Sequence, residues 1–141
     1  MLDHVALPLV ISGMPVAKAL ATARGAAEQV GAEEFADAAP HELPSDVLTR
    51  LALARALVRD PKLLIVDDIS GGSTDADQQA LQQLLMTVIR ERRDLAVLAS
   101  SREATALRAA NRIMSLDGGG RLRVPERAAA QVVPFPTRGS D

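Results

Sequence analysis

Residues 40–68, PHELPSDVLTRLALARALVRDPKLLIVDD, decide how this chain is read. Val47, Leu51, Ala54 and Val58 recur at helical spacing, with Arg50, Arg55 and Arg59 set among them. Asp60-Pro61 stops that helix. Leu63-Leu64-Ile65-Val66 follows as a short, wholly apolar run, the composition of a strand covered on both faces. The run ends in Asp67 and Asp68. Ligands of open parallel sheets bind at the carboxyl ends of strands. Two carboxylates at that place form a candidate site for a metal–phosphate.

Outward from this stretch, residues 1–39 form an Ala-rich helical unit. An apolar helix begins at Leu2 and breaks near Gly13. Pro15 suits the first turn of a second helix, Val16 to Val30, and Gly31 suits its end. Glu33 to Ala38 reads as one more helical turn. After Asp68, Ile69-Ser70-Gly71-Gly72-Ser73 is a loop. Thr74 with Asp77 predicts a capping box. The helix that follows carries Ala80, Leu81, Leu84, Leu85, Val88 and Ile89 on one stripe. Leu95 to Ala99 is a second buried strand, and Ser100 with Glu103 caps a short helix to Ala110. Ile113 to Leu116 and Arg121 to Val124 read as strands joined by a Gly118-Gly119-Gly120 turn. Strand–helix alternation predicts an α/β fold with a parallel sheet. Residues 125–141 lack periodicity and read as a disordered tail.

Composition narrows the function classes. A length of 141 residues sets one domain as the prior, and 48% hydrophobic residues suffice for a core. A net charge of −2 gives no support to nucleic-acid binding. With no cysteine there is neither a disulfide framework nor a thiolate metal site, which suits a reducing cytoplasm. The longest apolar stretch, Val5 to Ile11, is interrupted by Pro8 and too short to span a bilayer. It also lacks the basic flank of a signal peptide. Phe35 and Phe135 are the only aromatic residues, which argues against sugar or base stacking.

The segment LALARALVRDPKLLIVDD closely resembles the core of ABC-transporter ATPase subunits, from the helix after their signature loop to the Walker B strand. LDHVALPLVISGMP near the start resembles the helical subdomain of the lipoprotein-release and macrolide-export branch. The likeness extends over nearly all of residues 1–124. It implies a partial P-loop NTPase fold, with a helical subdomain at 1–39 and the C-terminal part of the ATPase core at 40–124. The family's P-loop, G-x-x-x-x-G-K-[ST], occurs nowhere in these residues. The chain is therefore expected to begin after the family's nucleotide-gripping region.

The resemblance also assigns positions. The family's Leu-Ser-Gly-Gly-Gln signature is matched by Leu43-Pro44-Ser45-Asp46-Val47. That loop must offer bare N–H groups and a small hydroxyl to a γ-phosphate at a helix N-terminus. Pro44 removes a hydroxyl and an N–H, and Asp46 brings a carboxylate. The alternative is that Ser45 or Asp46 simply caps the helix. Asp67 matches the Walker B aspartate that helps hold Mg²⁺. Asp68 matches the catalytic Glu but is one methylene shorter, which displaces a general base. Thr74, or Asp75 after a one-residue slip, stands at the position of the D-loop aspartate. Arg102 stands at the switch His. There it can touch a phosphate, or be a solvated residue at a helix start, but it cannot cycle its charge as His does. His4 and His41 have no convergent partners.

Three functional readings follow. The first is a degenerate ABC ATP-binding subunit, associated with a permease or a competent ATPase and not hydrolysing ATP by itself. The second is an ATPase half completed by a separate P-loop chain. The third is a gene fragment without function. The resemblance implies ATP and Mg²⁺ as cofactors, not bound by the isolated chain. It implies a cytoplasmic location at the inner face of the membrane, held through a permease. Two adjacent carboxylates without phosphate partners are expected to repel, so Asp68→Asn is expected to be neutral or stabilising. In the family the P-loop strand lies beside the strand matched by Leu95 to Ala99. Without it, that strand and Ile113 to Leu116 either meet across the gap or leave open apolar edges, and the sheet faces lose covering helices. The chain alone is expected to be poorly folded or to fold only with a partner, the alternative being strands that close up into a smaller self-sufficient domain.

Overall fold

Residues 1–68, 74–102 and 110–124 are described by the computed structural model. The chain divides into two compact units, Met1–Arg102 and Glu103–Asp141. The expected helix after Ser100, the loop 69–73 and the tail 125–141 fall wholly or mainly outside the described residues.

The first unit opens with three helices. Helix α1 (Leu2–Ile11) buries Leu2, Val5, Ala6 and Leu9 along one face. It runs through Pro8 and ends before Gly13, which takes φ +90°. Helix α2 (Val16–Gln29) starts directly after Pro15 and buries Ala19, Ala23, Ala26 and Ala27. Four alanines on one face let the neighbouring helices approach closely, and they bring little apolar area each. The end of α2 is a Schellman motif. Gly31 at φ +64° donates its N–H to the Glu28 carbonyl (2.9 Å), and Ala32 donates to Ala27 (2.9 Å). A single 3₁₀ turn, Glu33–Phe35, follows as expected, and a second one, Pro40–Glu42, leads into α3. Helix α3 (Ser45–Leu57) packs on both α1 and α2. Its predicted stripe is the buried one: Val47, Leu51, Ala54 and Val58 all lie in the core.

Strand β1 (Leu63–Val66) pairs in parallel with β2 (Ala96–Ala99), in the register Leu63–Ala96 to Val66–Ala99. The connection runs through α4 (Asp75–Glu91), as a parallel crossover requires. Thr74 caps α4 as predicted, its hydroxyl accepting the Asp77 N–H at 3.2 Å. Of the predicted α4 stripe, Leu85 and Val88 are buried and the rest half-buried. At the amino ends of the strands, Lys62 pairs with Asp94, and Arg92 pairs with Asp60 while donating to the last-turn carbonyl of Leu57. The Lys62 hydrogen bond holds the Asp94 carboxyl below its usual range.

The all-apolar run predicts cover on both faces and the resemblance predicts an open one, and the structure agrees with the second. β1 is covered on one face only: Leu64 is 5% exposed, whereas Leu63 is 54% and Ile65 67% exposed. In β2, Leu98, the partner of Ile65, is 51% exposed. Side chains alternate across a strand, and among the described residues α3 and α4 both line the Leu64 side. The opposite side presents Leu63, Ile65, Ala96 and Leu98 to solvent.

The second unit contains an antiparallel pair, β3 (Ser115–Leu116) with β4 (Leu122–Arg123), shorter than the sequence suggests. Asp117 organises its turn. One carboxylate oxygen accepts the N–H groups of Gly119 and Arg121, both at 3.0 Å, and the other accepts Arg123 Nε at 3.1 Å. The Arg121 N–H leads in holding this carboxyl below the ordinary aspartate value.

Two predictions follow from this packing. Leu51 is 1% exposed, so Leu51→Ala lowers the unfolding free energy by about 2–5 kcal/mol. Ile65→Thr, on the open sheet face, changes it by no more than about 0.5 kcal/mol. Urea unfolding of the two variants checks the contrast. For Asp117, a depressed folded value means that its contribution is complete above the unfolded value and lost as pH falls through the folded one. NMR titration of the Gly119 and Arg121 amides reads this: both shift together at acid pH, below the titration of a free aspartate.

Candidate functional site

The β1–β2 ladder continues one step past its ends, with the Ser100 N–H donating to the Val66 carbonyl at 3.0 Å. That bond sets Ser100 beside Asp67 and Asp68, where the chain leaves β1. The Ser100 hydroxyl donates to Asp67 Oδ1 at 2.7 Å and accepts the Asp68 N–H at 2.7 Å. A hydroxyl has one proton to give and two lone pairs, so both bonds are compatible. Asp68 adopts φ +50°, in the left-handed region that Asp tolerates better than most residues. Its Oδ2 lies 2.6 Å from Arg102 Nη2. The hydrogen bond to Asp68, then the charge of Asp68, raises the Arg102 guanidinium further above its ordinary value.

The acid pair opens on a cleft of about 470 Å³ between α3, β1 and α4. Ser45 and Asp46 line it from the start of α3, and Asp77 and Gln78 from the first turns of α4. The structure thus brings Ser45, Asp46, Asp67 and Asp68 around one space. Of the other predicted positions, Val47 is buried in the helical core, Leu43 is half-buried before α3, and Thr74 serves as the α4 cap. Arg102 reaches the acid pair through Asp68.

The start of α3 differs from the simple-cap expectation. Pro44 occupies the N-cap position without a side-chain cap, and Ser45 and Asp46 are the first two helical residues. Proline pre-sets φ and has no N–H to leave unpaired, so it takes the cap position at little cost. Asp46 adds a carboxylate to the positive end of the helix and lies 4.0 Å from Arg50. The expected repulsion between Asp67 and Asp68 also needs revision. Asp67 is engaged by Ser100 and Asp68 by Arg102, so Asp68→Asn removes an ion pair rather than relieving a bare one. Ser100 was legible only as a helix cap, because its contact with Asp67 spans 33 residues and depends on strand register.

Magnesium is commonly held by one or two carboxylates together with phosphate oxygens and water, and Asp67 and Asp68 are the carboxylates that line this cleft at the end of β1. Magnesium demands near-octahedral oxygen coordination. Among the described residues no three His, Cys, Asp or Glu side chains converge as a metal site. One oxygen of each carboxylate is already occupied by Ser100 or Arg102. Among the described residues no helix is long and apolar enough to cross a membrane.

No family model matches the sequence. The chain is similar to the lipoprotein-releasing system ATP-binding protein LolD of Hyphomonas neptunium, 33% identical over 118 residues, or 84% of this chain and 51% of that protein. LolD of Myxococcus xanthus is 37% identical over 118 residues, 84% of this chain and 52% of that protein. The methionine import ATP-binding protein MetN of Mesorhizobium japonicum is 34% identical, over 83% of this chain and 32% of that protein. The chain spans about half the length of the LolD relatives it matches. Among solved structures, the dimeric structure of MJ0796, a bacterial ABC transporter cassette, covers 76% of this chain with a TM-score of 0.62 at 24% identity, over 47% of that chain, a likeness of fold. The chain is thus a homologue of ABC-transporter ATP-binding subunits, with the α/β fold of the C-terminal portion of their ATPase cassette.

Proposed function

We propose that this chain serves as a degenerate ATP-binding-cassette subunit of an ABC transporter, contributing structure to a complex with a permease and not turning over ATP by itself. The observation that carries this reading is the start of α3. An anion site needs free N–H groups at a helix N-terminus. Here that end presents Pro44 as cap and the Asp46 carboxylate within the first turn. A phosphate would meet a negative charge where the fold ordinarily offers positive partial charge. In this reading Asp67 keeps the metal-side position, Asp68 the shortened base position, Thr74 the D-loop position and Arg102 the place of the switch His. Residues 1–39 are the permease-facing subdomain and residues 40–124 the core.

The helical unit supports the permease contact. Leu7, Ile11 and Val16 are exposed near the α1–α2 turn, an apolar group suited to a partner surface. Such a complex would sit on the inner face of the membrane. A second reading, an ATPase half completed by a separate P-loop chain, is favoured by the open sheet face of Leu63, Ile65 and Leu98.

Two measurements test the proposal. Calorimetric titration of the isolated chain with Mg-ATP is expected to give no saturable heat, and a micromolar dissociation constant contradicts it. Co-expressed with its permease, the chain is expected to co-purify. Ile11→Asp with Val16→Asp is expected to abolish that association while leaving the circular dichroism of the chain unchanged.

A further inference from the structure

The parallel ladder delivers more than two acids to one place. At the carboxyl end of β1 stand Asp67 and Asp68; just past the end of β2 come Ser100 and Arg102. Each acid takes a partner from the other strand's end. Asp67 Oδ1 receives the Ser100 hydroxyl at 2.7 Å, and Asp68 Oδ2 receives Arg102 Nη2 at 2.6 Å. The same hydroxyl also accepts the Asp68 N–H at 2.7 Å, so one serine ties both acids to β2. The guanidinium is a permanent cation whose planar donors match a carboxylate. We infer that Arg102 is a built-in counter-ion for the Asp67–Asp68 pair, with Ser100 as its neutral hydrogen-bond partner, so that half of the pair's charge is offset by the chain itself and a divalent cation is held off it.

This inference rests on the reading of Asp67 and Asp68 as the fold's metal and base positions, and it deepens that reading. A dication approaching the pair meets the positive charge of Arg102 a few ångströms away, and to gain Asp68 it must displace that charge. The Arg102 side chain is 87% exposed and that of Asp68 29%. Solvent therefore screens the barrier, and removing the cation does not disturb the core. The barrier is electrostatic, so a lysine at position 102 preserves most of it, whereas a neutral side chain of similar length does not.

The probe is Mn²⁺ alone, followed by water-proton relaxation with the full chain at low ionic strength. Arg102→Gln is expected to bind Mn²⁺ more tightly than the wild type by on the order of tenfold. Arg102→Lys is expected to stay close to the wild type. Equal Mn²⁺ affinity in the wild type and Arg102→Gln, measurable or not, overturns the inference. A second measurement does not depend on the folding of an Arg102 variant. The side-chain Nη signals of Arg102 in ¹⁵N NMR are expected to be restrained in the wild type and freely averaging in Asp68→Asn; identical signals in the two proteins also overturn it. Neither readout involves ATP or a permease, so its failure is distinguishable from failure of the proposed function.

Discussion

Everything at the candidate site depends on one register: Val66 opposite Ala99 in a parallel ladder. Backbone pairing carries Ser100 to Asp67 across 33 residues of sequence, and Arg102 to Asp68 across 34. A slip of one residue would turn every side chain to the other face of the strand. Leu64 would leave the core, and the hydroxyl would lose its place between the acids. The register is held by side-chain burial on the Leu64 face and, at the far end, by the Lys62–Asp94 and Arg92–Asp60 pairs. Lys62, Asp94 and Asp60 are largely solvent-exposed and only Arg92 is mostly covered, and pairs with exposed partners contribute little stability. Burial beneath the sheet is therefore what fixes the site.

That burial is one-sided, and this sets the helical unit apart from the sheet. Three helices close around Val5, Val30 and Leu51, the largest fully buried side chains among the described residues. Their interface is made close by the alanines of α2. The sheet has two strands, each with an unpaired edge among the described residues, and one apolar face in solvent. Fully burying a Leu or Ile side chain is worth roughly 1.5–3 kcal/mol. Leu63, Ile65 and Leu98 are each half exposed or more, so together they withhold about 3–5 kcal/mol, a sizeable share of a domain's net stability of about 5–15 kcal/mol. Anything that covers this face would add to stability directly.

The sequence was most legible where structure is local. The α3 stripe, the Gly31 stop and the Thr74 cap each depend on residues within one or two turns, and each stands as expected. The family resemblance, carried by the helix–strand–acid run, extended this to the fold. What failed depended on distant parts of the chain. An apolar run cannot tell one covered face from two, because Leu63 and Leu64 look alike until the packing layer is known. The partners of Asp67 and Asp68 were hidden for the same reason, since Ser100 reads equally well as a helix cap. Asp117 escaped notice because its carboxylate serves its own turn, and the three glycines that follow drew the turn reading by themselves.

The central claim is that a self-sufficient helical unit carries a sheet whose outer face awaits cover. Amide hydrogen exchange followed by mass spectrometry on the isolated chain tests this most directly. The amides of α1, α2 and α3 are expected to exchange slowly and together, while those of β1 and β2 exchange far faster, through openings that leave the helices intact. Equal, strong protection of β1, β2 and the three helices would contradict it, because the sheet would then be as firmly held as the core that supports it.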